Sequence, residues 1–270
     1  MATRGPETVD KEEFVSSLAR GLAVIRAFGA DKPQMTLSEV AAATHLNPAV
    51  ARRFLLTLVR LGYAAHDGKR FMLRPRVLEL GAGYLASINI AQLAQPYLQD
   101  LRDATGDSTS LTTLDGEDVI YVCYIPARRL FRLVVTNGTR IVAYASAPGR
   151  AILAHLDPES IEAFISHASL EPRTDRTVTS AAKFREILGE VRDRGFAAVV
   201  DEYEYGASGI AVPVFDGAAV VGAVSCLTPT GNLTKEEIIR TRLPAVRDTA
   251  QRITDELHQF PEFAHSVRWG

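Results

Sequence analysis

Residues 36–73 read TLSEVAAATHLNPAVARRFLLTLVRLGYAAHDGKRFML, and this stretch decides the fold of the N-terminal part of the chain. Thr36 and Glu39 have the spacing of a capping box, which predicts the start of a helix of about two to three turns. Asn47 followed by Pro48 predicts the start of a second helix, because a proline at the first helical position removes no intrahelical hydrogen bond. Two short helices joined by a tight turn are typical of a helix-turn-helix.

The second helix is predicted to have one face toward the core and one toward solvent. Its apolar residues recur at spacings of four, four and three and should face the core: Val50, Phe54, Leu58 and Leu61. The other side carries small and cationic residues, and an arginine on a helix in the major groove can pair with guanine through two hydrogen bonds. We therefore predict a DNA recognition helix. The residues predicted to contact DNA from the two helices are Ser38, Asn47, Ala49, Arg52 and Arg53.

A basic hairpin is predicted to follow Gly62, which ends the second helix. Residues 63–66 and 69–73 have the pattern of two strands, and the dipeptide Asp67-Gly68 between them is favoured in tight hairpins. Lys69 and Arg70 stand just beyond that turn, where they are predicted to reach phosphates. A helix-turn-helix with such a hairpin is a winged helix-turn-helix.

Charge is unevenly distributed along the chain, although the net formal charge is only −2. Residues 14–90 contain ten Lys or Arg against four Asp or Glu, whereas residues 91–270 contain 18 basic and 24 acidic side chains. Because attraction to phosphate is local and is screened beyond about 8–10 Å, the basic N-terminal part favours binding to nucleic acid. The alternatives are an ordinary solvated arginine surface or a winged helix that serves as a protein-binding scaffold.

The chain is predicted to contain two domains of ordinary size. Its 270 residues, 47% hydrophobic and 23% charged, are typical of a soluble globular protein, and we expect no membrane span and a cytoplasmic location. Five apolar residues predict a first helix that packs beneath the other two: Phe14, Leu18, Leu22, Ile25 and Phe28. The predicted parts are a disordered N-terminus (1–13), a DNA-binding domain (14–74), a linker helix (75–90) and a second domain (91–270).

The second domain is predicted to be α+β, with helices around a mostly antiparallel sheet. Near Thr105 the chain changes to runs rich in Val, Thr, Tyr and Ile, separated by turn dipeptides such as Asn137-Gly138. The predicted strands are 108–114, 119–125, 132–136, 141–145, 196–200, 209–215 and 219–227. The predicted helices are 91–104, 149–156, 158–166, 181–194 and 234–258.

Motifs that carry catalytic chemistry are not found in the second domain. The sequence has no HExxH and no CxxC pair, and residues 206–210 lack the final glycine of a nucleophile elbow. Cys123 and Cys226 are predicted to be buried, reduced thiols. Asp201, Glu202 and Glu204 could act as general acid and base, but such a cluster at a strand end is more often solvated. We therefore predict no enzyme activity, no metal and no cofactor.

Binding of a small anion is the better-supported function of this domain. Strand 141–145 runs directly into Ser146, which can cap a helix whose first amides attract a carboxylate. The alternative is an ordinary helix cap without a ligand. Arg132, in an otherwise apolar strand, is a candidate partner for the anion, or else an arginine that faces solvent.

The chain resembles the IclR family of bacterial transcriptional regulators over essentially its whole length. Within that family it is most similar to the protocatechuate and hydroxybenzoate regulators of aromatic-acid catabolism. The segments that carry the resemblance are VSSLARGLAVIRAFG (15–29), TLSEVAAATHLNPAVARRFLLTLVRLGY (36–63), FMLRPRVLELGAGYL (71–85), GRAILAHL (149–156) and GIAVPVFDGAAVVGAVS (209–225).

The resemblance implies a winged helix-turn-helix, a linker helix that helps to dimerise, and a GAF-like effector domain, assembled as dimers or tetramers. It also implies a pocket for small carboxylates between the sheet and the helix start near Ser146. The sequence departs from the family pattern at Gly209, where the family often has Cys, at Leu227, where it has a second hydroxyl, and at Pro148. The residues expected to bind the effector are Arg132, Ser146, Ala147, Gly149, Asp201, Ser208, Gly209 and Ser225.

The resulting hypothesis is a transcriptional regulator whose promoter binding or activity is modulated by a small carboxylate, such as the aromatic acid protocatechuate. The expected partners are double-stranded promoter DNA, a small organic acid and further copies of the chain. Two alternatives stay open. One is a constitutive DNA-binding oligomer that senses no small molecule, and the other is an enzyme with a DNA-binding head.

Overall fold

The computed structural model describes residues 14–29, 31–80, 89–128, 135–231 and 233–259. The chain divides into two compact units, Met1–Gly83 and Tyr84–Gly270. The predicted disordered N-terminus lies outside the described residues, as does the predicted linker helix from residue 81 to 88. The start of that linker is a 3₁₀ helix, Pro75–Leu78. The predicted domain limits stay a prediction.

The first unit is a winged helix-turn-helix, as predicted. Its elements are α1 (Ser16–Arg26), β1 (Gln34–Met35), α2 (Leu37–Thr44), α3 (Pro48–Leu61), β2 (Ala64–His66) and β3 (Phe71–Leu73). The three strands form an antiparallel sheet in the order β1-β3-β2. The core between helices and sheet consists of Val24, Met35, Val40, Leu55, Leu58, Ala64 and Phe71.

The predicted inward face of the first helix is wrong for its N-terminal half. Phe14, Leu18 and Leu22 are 57%, 63% and 47% exposed, whereas Val24 is the residue that α1 buries. The helix lies with Gly21 toward the ring of Phe54, where an added Cβ would be 3.8 Å from the ring. This side of the helix packs because its small residue permits a close approach, which the spacing of large residues alone does not reveal.

The buried face of the second predicted helix is also displaced from the expected one. In α3 the buried residues are Ala51, Leu55 and Leu58, of which Leu58 was predicted, whereas Leu61 is 52% exposed. Val50 and Phe54 are half-buried at the edge of this face. Apolar residues stand on both sides of the helix, so tertiary packing selects which of two overlapping stripes is buried.

The hairpin has shorter strands and a longer turn than predicted. The turn spans residues 67–70, because the side chain of Asp67 accepts hydrogen bonds from the amides of Lys69 (2.8 Å) and Arg70 (2.7 Å). These two bonds, that from Arg70 being the stronger, hold the pKa of Asp67 below its ordinary value. Lys69 and Arg70 therefore lie in the turn and not in the second strand.

The second unit contains a six-stranded antiparallel sheet in the order β6-β5-β4-β9-β8-β7. Its strands are β4 (Ser108–Asp115), β5 (Asp118–Ile125), β6 (Arg140–Val142), β7 (Ala197–Val200), β8 (Ala207–Asp216) and β9 (Ala219–Pro229). Its helices are α4 (Asn89–Thr105), α5 (Ala147–Leu153), α6 (Pro158–His167), α7 (Ala181–Arg194) and α8 (Lys235–Gln259).

Helices cover both faces of this sheet and create two cores. On one face α4 and α8 bury residues such as Leu98, Leu101 and Ile253. On the other face α5, α6 and α7 bury residues such as Leu153 and Phe184. The predicted α+β class is confirmed.

One junction in the second unit differs from the prediction. Strand β6 ends at Val142, and the chain then turns so that the amide of Ser146 donates to the carbonyl of Ala143 (3.2 Å). Helix α5 consequently starts at Ala147, before the predicted residue 149, and ends at Leu153. The predicted strand 132–136 lies outside the described residues up to residue 134.

Candidate DNA-binding surface and effector pocket

Two caps position the recognition helix. The amide of Thr36 donates to Glu39 Oε2 (2.7 Å), and the amide of Glu39 donates to Thr36 Oγ1 (3.3 Å), which completes the predicted capping box. The amide of Ala49 donates to Asn47 Oδ1 (2.9 Å) at the start of α3. Between the two helices His45 has a φ of +54°, a left-handed conformation that ends α2 and turns the chain. Short-range hydrogen bonds therefore set the angle at which α3 is presented.

The outer face of α3 is exposed and cationic. Arg52 and Arg53 are both exposed, and no carboxylate among the described residues pairs with either guanidinium. Ser38, Asn47 and Ala49 are exposed as well. Arg60, which the sequence reasoning left out, is exposed on the same side as Arg53, seven residues further on. The surface around α3 can therefore offer several cations to a nucleic acid.

The two predicted wing residues, Lys69 and Arg70, differ in exposure and in hydrogen bonding. Lys69 is exposed in the turn. Arg70 is half-buried, and its Nη1 donates to the carbonyl of Gln34 in β1 at 3.4 Å. Lys69 is therefore the freer of the two cations.

Five of the predicted effector residues line one cavity in the second unit. It lies on the sheet face that α5 covers, and Ser146 and Ala147 form one part of its wall. Ser208 and Gly209 of β8 and Ser225 of β9 form another part. Residues far apart in the chain thus meet at the junction of sheet and helix that the sequence indicated.

Hydrogen bonds orient the three serines of this wall. Ser146 Oγ accepts from the amide of Gly149 and donates to the carbonyl of Ala143, both at 3.2 Å, and Ser208 Oγ donates to the carbonyl of Thr228 (2.8 Å). Ser225 Oγ lies 2.8 Å from Ser110 Oγ, and either hydroxyl can be the donor. This last pair can turn a proton toward or away from the cavity without breaking its hydrogen bond.

Two other predicted effector residues are not part of the cavity wall, and a third, Arg132, lies outside the described residues. Gly149 faces the backbone of Ala143. Asp201 has a φ of +58°, and its carboxylate is already bound. It accepts hydrogen bonds from Arg176 Nη1 (2.8 Å), the amide of Gly206 (2.9 Å) and Thr230 Oγ1 (2.8 Å).

The expectation of a solvated acidic cluster is wrong for Asp201 and Glu202, which are only 7% and 9% exposed. Both Glu202 oxygens accept from the buried Arg150, at 2.8 and 2.5 Å, and Arg150 Nε also donates to the carbonyl of Tyr144 (2.7 Å). The partner comes from α5, 52 positions away. A local pattern could not reveal this pairing.

Sequence reasoning missed the larger side chains of the cavity wall. Tyr121 of β5, Ile141 of β6, Val199 of β7 and Tyr203 beyond it all line the cavity. Within the described ranges, none of the lining residues carries a charge. The cavity therefore combines hydroxyl groups with an apolar and aromatic wall, which suits a ring that bears polar substituents.

The described residues offer no metal site, because no three His, Cys, Asp or Glu side chains are placed to hold an ion. No helix within the same ranges is long and apolar enough to cross a membrane. Cys123 and Cys226 are buried free thiols, as predicted, and burial raises their pKa to about 11 and about 12.

A winged helix-turn-helix together with this α+β domain defines the class of protein, a DNA-binding transcriptional regulator. Residues 17–68 match the family model described as the IclR helix-turn-helix domain. Residues 82–255 match the one described as bacterial transcriptional regulator IclR C-terminal. The chain belongs to the IclR family.

Individual relatives agree with this assignment. The Pca regulon regulatory protein of Pseudomonas putida is 35% identical over 247 residues, which cover 91% of this chain and 85% of that protein. The p-hydroxybenzoate hydroxylase transcriptional activator of Acinetobacter baylyi is 32% identical over 253 residues, 92% of this chain and 93% of that one. A solved structure described as a transcriptional regulator from Rhodococcus sp. RHA1 is 40% identical, with a TM-score of 0.80 over 91% of this chain and 99% of that one.

These relatives confirm the resemblance stated above, including its link to the regulators of aromatic-acid catabolism. These relatives are regulatory proteins, and the protein is a transcriptional regulator and not an enzyme. The alternative of an enzyme with a DNA-binding head is thereby removed.

Proposed function

We propose that this protein regulates transcription in response to a small carboxylate, such as the aromatic acid protocatechuate. The observation that carries the proposal is the cavity in which Ser146, Ser208 and Ser225 meet an apolar and aromatic wall. The regulators of Pseudomonas putida and Acinetobacter baylyi, whose names refer to the Pca regulon and to p-hydroxybenzoate hydroxylase, support an aromatic ligand. Because its expected target is promoter DNA, we propose a cytoplasmic location.

In the proposed complex, the ring of the acid lies against the aromatic and aliphatic wall. The amide of Ala147 binds the carboxylate, and Ser146 turns its hydroxyl to it from the carbonyl of Ala143, while Ser208 and Ser225 supply further hydrogen bonds. Gly209 keeps its strand close to the helix start, since a Cβ there would lie 3.3 Å from the Cβ of Ala147. Asp201 positions the loop that precedes β8, and Gly149 positions the start of α5.

A specific carboxylate is expected to raise the melting temperature of the protein. A ligand that binds only the folded state stabilises it by about 2.7 kcal/mol when its concentration is 100 times Kd. We expect this result for at least one aromatic acid in a panel that includes protocatechuate, 4-hydroxybenzoate and benzoate, measured by thermal shift. The matched controls are the corresponding amides, which keep the ring and lack the charge.

If no carboxylate of the panel raised the melting temperature, the result would contradict the proposal. It would leave the constitutive DNA-binding oligomer as the better description. A shift of equal size with the amide controls would show that the carboxylate is not what the site recognises.

We further propose that the protein acts as a homo-oligomer on two half-sites of its promoter. Dimeric regulators of this type read half-sites about 34–36 Å apart or multiples of that distance. The exposed apolar residues Leu18 and Leu22 on α1, with Phe14 just before the helix, support contact with a second copy. A ligand that changes the separation of the two DNA-binding units needs a coupling free energy of only about 1–3 kcal/mol to alter promoter occupancy.

Loss of the two arginines of α3 is expected to weaken DNA binding at least about tenfold, because each good contact to a base contributes about 1–3 kcal/mol. The variant is Arg52→Ala with Arg53→Ala. Its affinity is measured at physiological salt, on a duplex that the wild-type protein selects from random-sequence DNA. The control is Arg185→Ala, because Arg185 is an exposed arginine of the second unit. Wild-type affinity of the double variant would show that α3 is not the recognition helix.

Lys69 and Arg70 are proposed to contact phosphate or the minor groove. Because Arg70 is tied to Gln34 and Lys69 is not, Lys69 is proposed as the stronger of the two contacts. Ser38, Asn47 and Ala49 are proposed to lie close to the DNA at the start of the two helices.

A further inference from the structure

Tyr121 carries a buried hydroxyl that has no hydrogen-bond partner among the described residues. Its side chain is 4% exposed and forms part of the cavity wall. The protein itself satisfies the hydroxyls of Tyr97, which donates to Glu256 (2.7 Å), and of Tyr144, which donates to the carbonyl of Glu171 (2.8 Å). Tyr124 and Tyr203 also have no hydroxyl partner among the described residues, but both are half-buried and Tyr121 is buried. Buried tyrosine hydroxyls normally find a partner, and leaving one without it is unfavourable. The cavity is the place from which a partner can come.

The sheet places Tyr121 at a useful distance from the serine side of the cavity. Strand β5, which carries Tyr121, is separated from β9, which carries Ser225, by β4 alone. Neighbouring strands lie about 4.8 Å apart, so these two backbones are separated by about 10 Å. Such a span accommodates one aromatic ring with polar groups at both ends.

The chemistry of Tyr121 suits a neutral partner. Burial, followed by the neighbouring phenols of Tyr124 and Tyr203, raises its pKa above the ordinary value. The hydroxyl therefore stays protonated at neutral pH, where it can both donate and accept a hydrogen bond. Within the described ranges no charged side chain lines the cavity, so this end suits a hydroxyl group better than a second carboxylate.

We infer that the Tyr121 hydroxyl binds a hydroxyl group on the ring of the effector, so that the site selects hydroxylated aromatic acids over benzoate. This inference rests on the proposed function. It assigns the carboxylate to the side of Ser146 and the ring hydroxyl to the side of Tyr121. Tyr203, which also lines the cavity, covers the ring between them.

The test compares 4-hydroxybenzoate with benzoate in the full-length protein and in Tyr121→Phe. Isothermal titration is expected to show that the wild type prefers 4-hydroxybenzoate. Loss of one hydrogen bond should weaken 4-hydroxybenzoate about three- to tenfold in Tyr121→Phe, with the affinity for benzoate unchanged. The matched control is Tyr124→Phe, a neighbour on the same strand in edge contact with Tyr121 (5.8 Å between centroids) and outside the cavity wall. It should leave both affinities unchanged.

A second measurement separates recognition from a structural role. Because the hydroxyl has no partner within the described ranges, the unliganded Tyr121→Phe protein should melt at or above the wild-type temperature. A clear drop would indicate a structural hydrogen bond and would overturn the inference.

The remaining outcomes distinguish the inference from the function on which it rests. In one outcome the wild type binds 4-hydroxybenzoate, but Tyr121→Phe lowers the affinities for both acids equally or changes neither. That result would overturn the role of Tyr121 and leave the sensor function intact. If only non-aromatic carboxylates bind, both the inference and the proposal of an aromatic ligand would be overturned. Failure of every carboxylate to bind the wild type would overturn the proposed function itself.

Discussion

Gly149→Ala is expected to lower the free energy of unfolding of the second unit by about 3 kcal/mol or more. A Cβ on Gly149 would lie 2.2 Å from the carbonyl oxygen of Ala143 and 2.4 Å from its Cα. Both are backbone atoms, so no side-chain rotation can relieve the clash. The start of α5 would have to move away from the preceding turn, and every residue of that helix is buried.

The same displacement is expected to affect the ligand response. Ser146 and Ala147, which line the cavity, are the N-cap and the first residue of this helix, two to three positions before Gly149. A Gly149→Ala protein that still folds should therefore show a smaller thermal shift with any carboxylate that stabilises the wild type.

Gly189→Ala provides the matched control, because the same exchange there should have the opposite sign. Gly189 is exposed within α7, and an added Cβ would meet no atom within 4 Å. Alanine within a helix is favoured over glycine by about 0.5–1 kcal/mol. Both variants are measured by denaturant unfolding. Equal stability of Gly149→Ala and the wild type would contradict the close contact between α5 and Ala143.

Glu202→Gln is expected to lower the free energy of unfolding by about 3–5 kcal/mol, because it leaves the buried guanidinium of Arg150 without its counter-charge. The side chains of Arg150 and Glu202 are 3% and 11% exposed. Glu202 also accepts a bond from the amide of Val178 at 3.3 Å, so the carboxylate joins three segments of the unit. Denaturant unfolding near neutral pH measures the change.

An exposed pair of the same chemistry provides the control. Arg185 donates to both oxygens of Glu162, at 2.7 and 2.6 Å, but these side chains are 45% and 52% exposed. Glu162→Gln should therefore change the stability by less than about 1 kcal/mol. The double variant Arg150→Met with Glu202→Met removes both buried charges. Its loss of stability should be smaller than the sum of the losses in Arg150→Met and in Glu202→Met. Similar effects of Glu202→Gln and Glu162→Gln would contradict the description of a buried ion pair.

Features that depend on neighbours within four residues were predicted well from the sequence. The caps at Thr36 and Asn47 were identified, and the limits of helix 181–194 agree with the structure. Such features arise from hydrogen bonds and torsion preferences of adjacent residues, which any single sequence displays. The turn after Asp67 was predicted in place but not in length, because its side-chain bonds to two later amides competed with the tighter hairpin.

The buried faces of α1 and α3 could not be read from periodicity. Both helices carry large apolar residues on more than one side, and small residues, Gly21 and Ala51, occupy the faces that pack. Which side is buried depends on the shape of the neighbouring elements. The same holds for Tyr121, whose place in the cavity follows from the strand order and not from any local motif.

By itself the sequence determined the winged helix-turn-helix, the α+β domain and the helix start at Ser146 as the place to look for a ligand. These follow from local signals and from family resemblance. Only the tertiary structure decided that Glu202 is buried against Arg150, that Asp201 is already bound, and that a tyrosine from β5 lines the cavity. The reason is physical: burial and pairing depend on residues that the folded chain brings together across tens of positions.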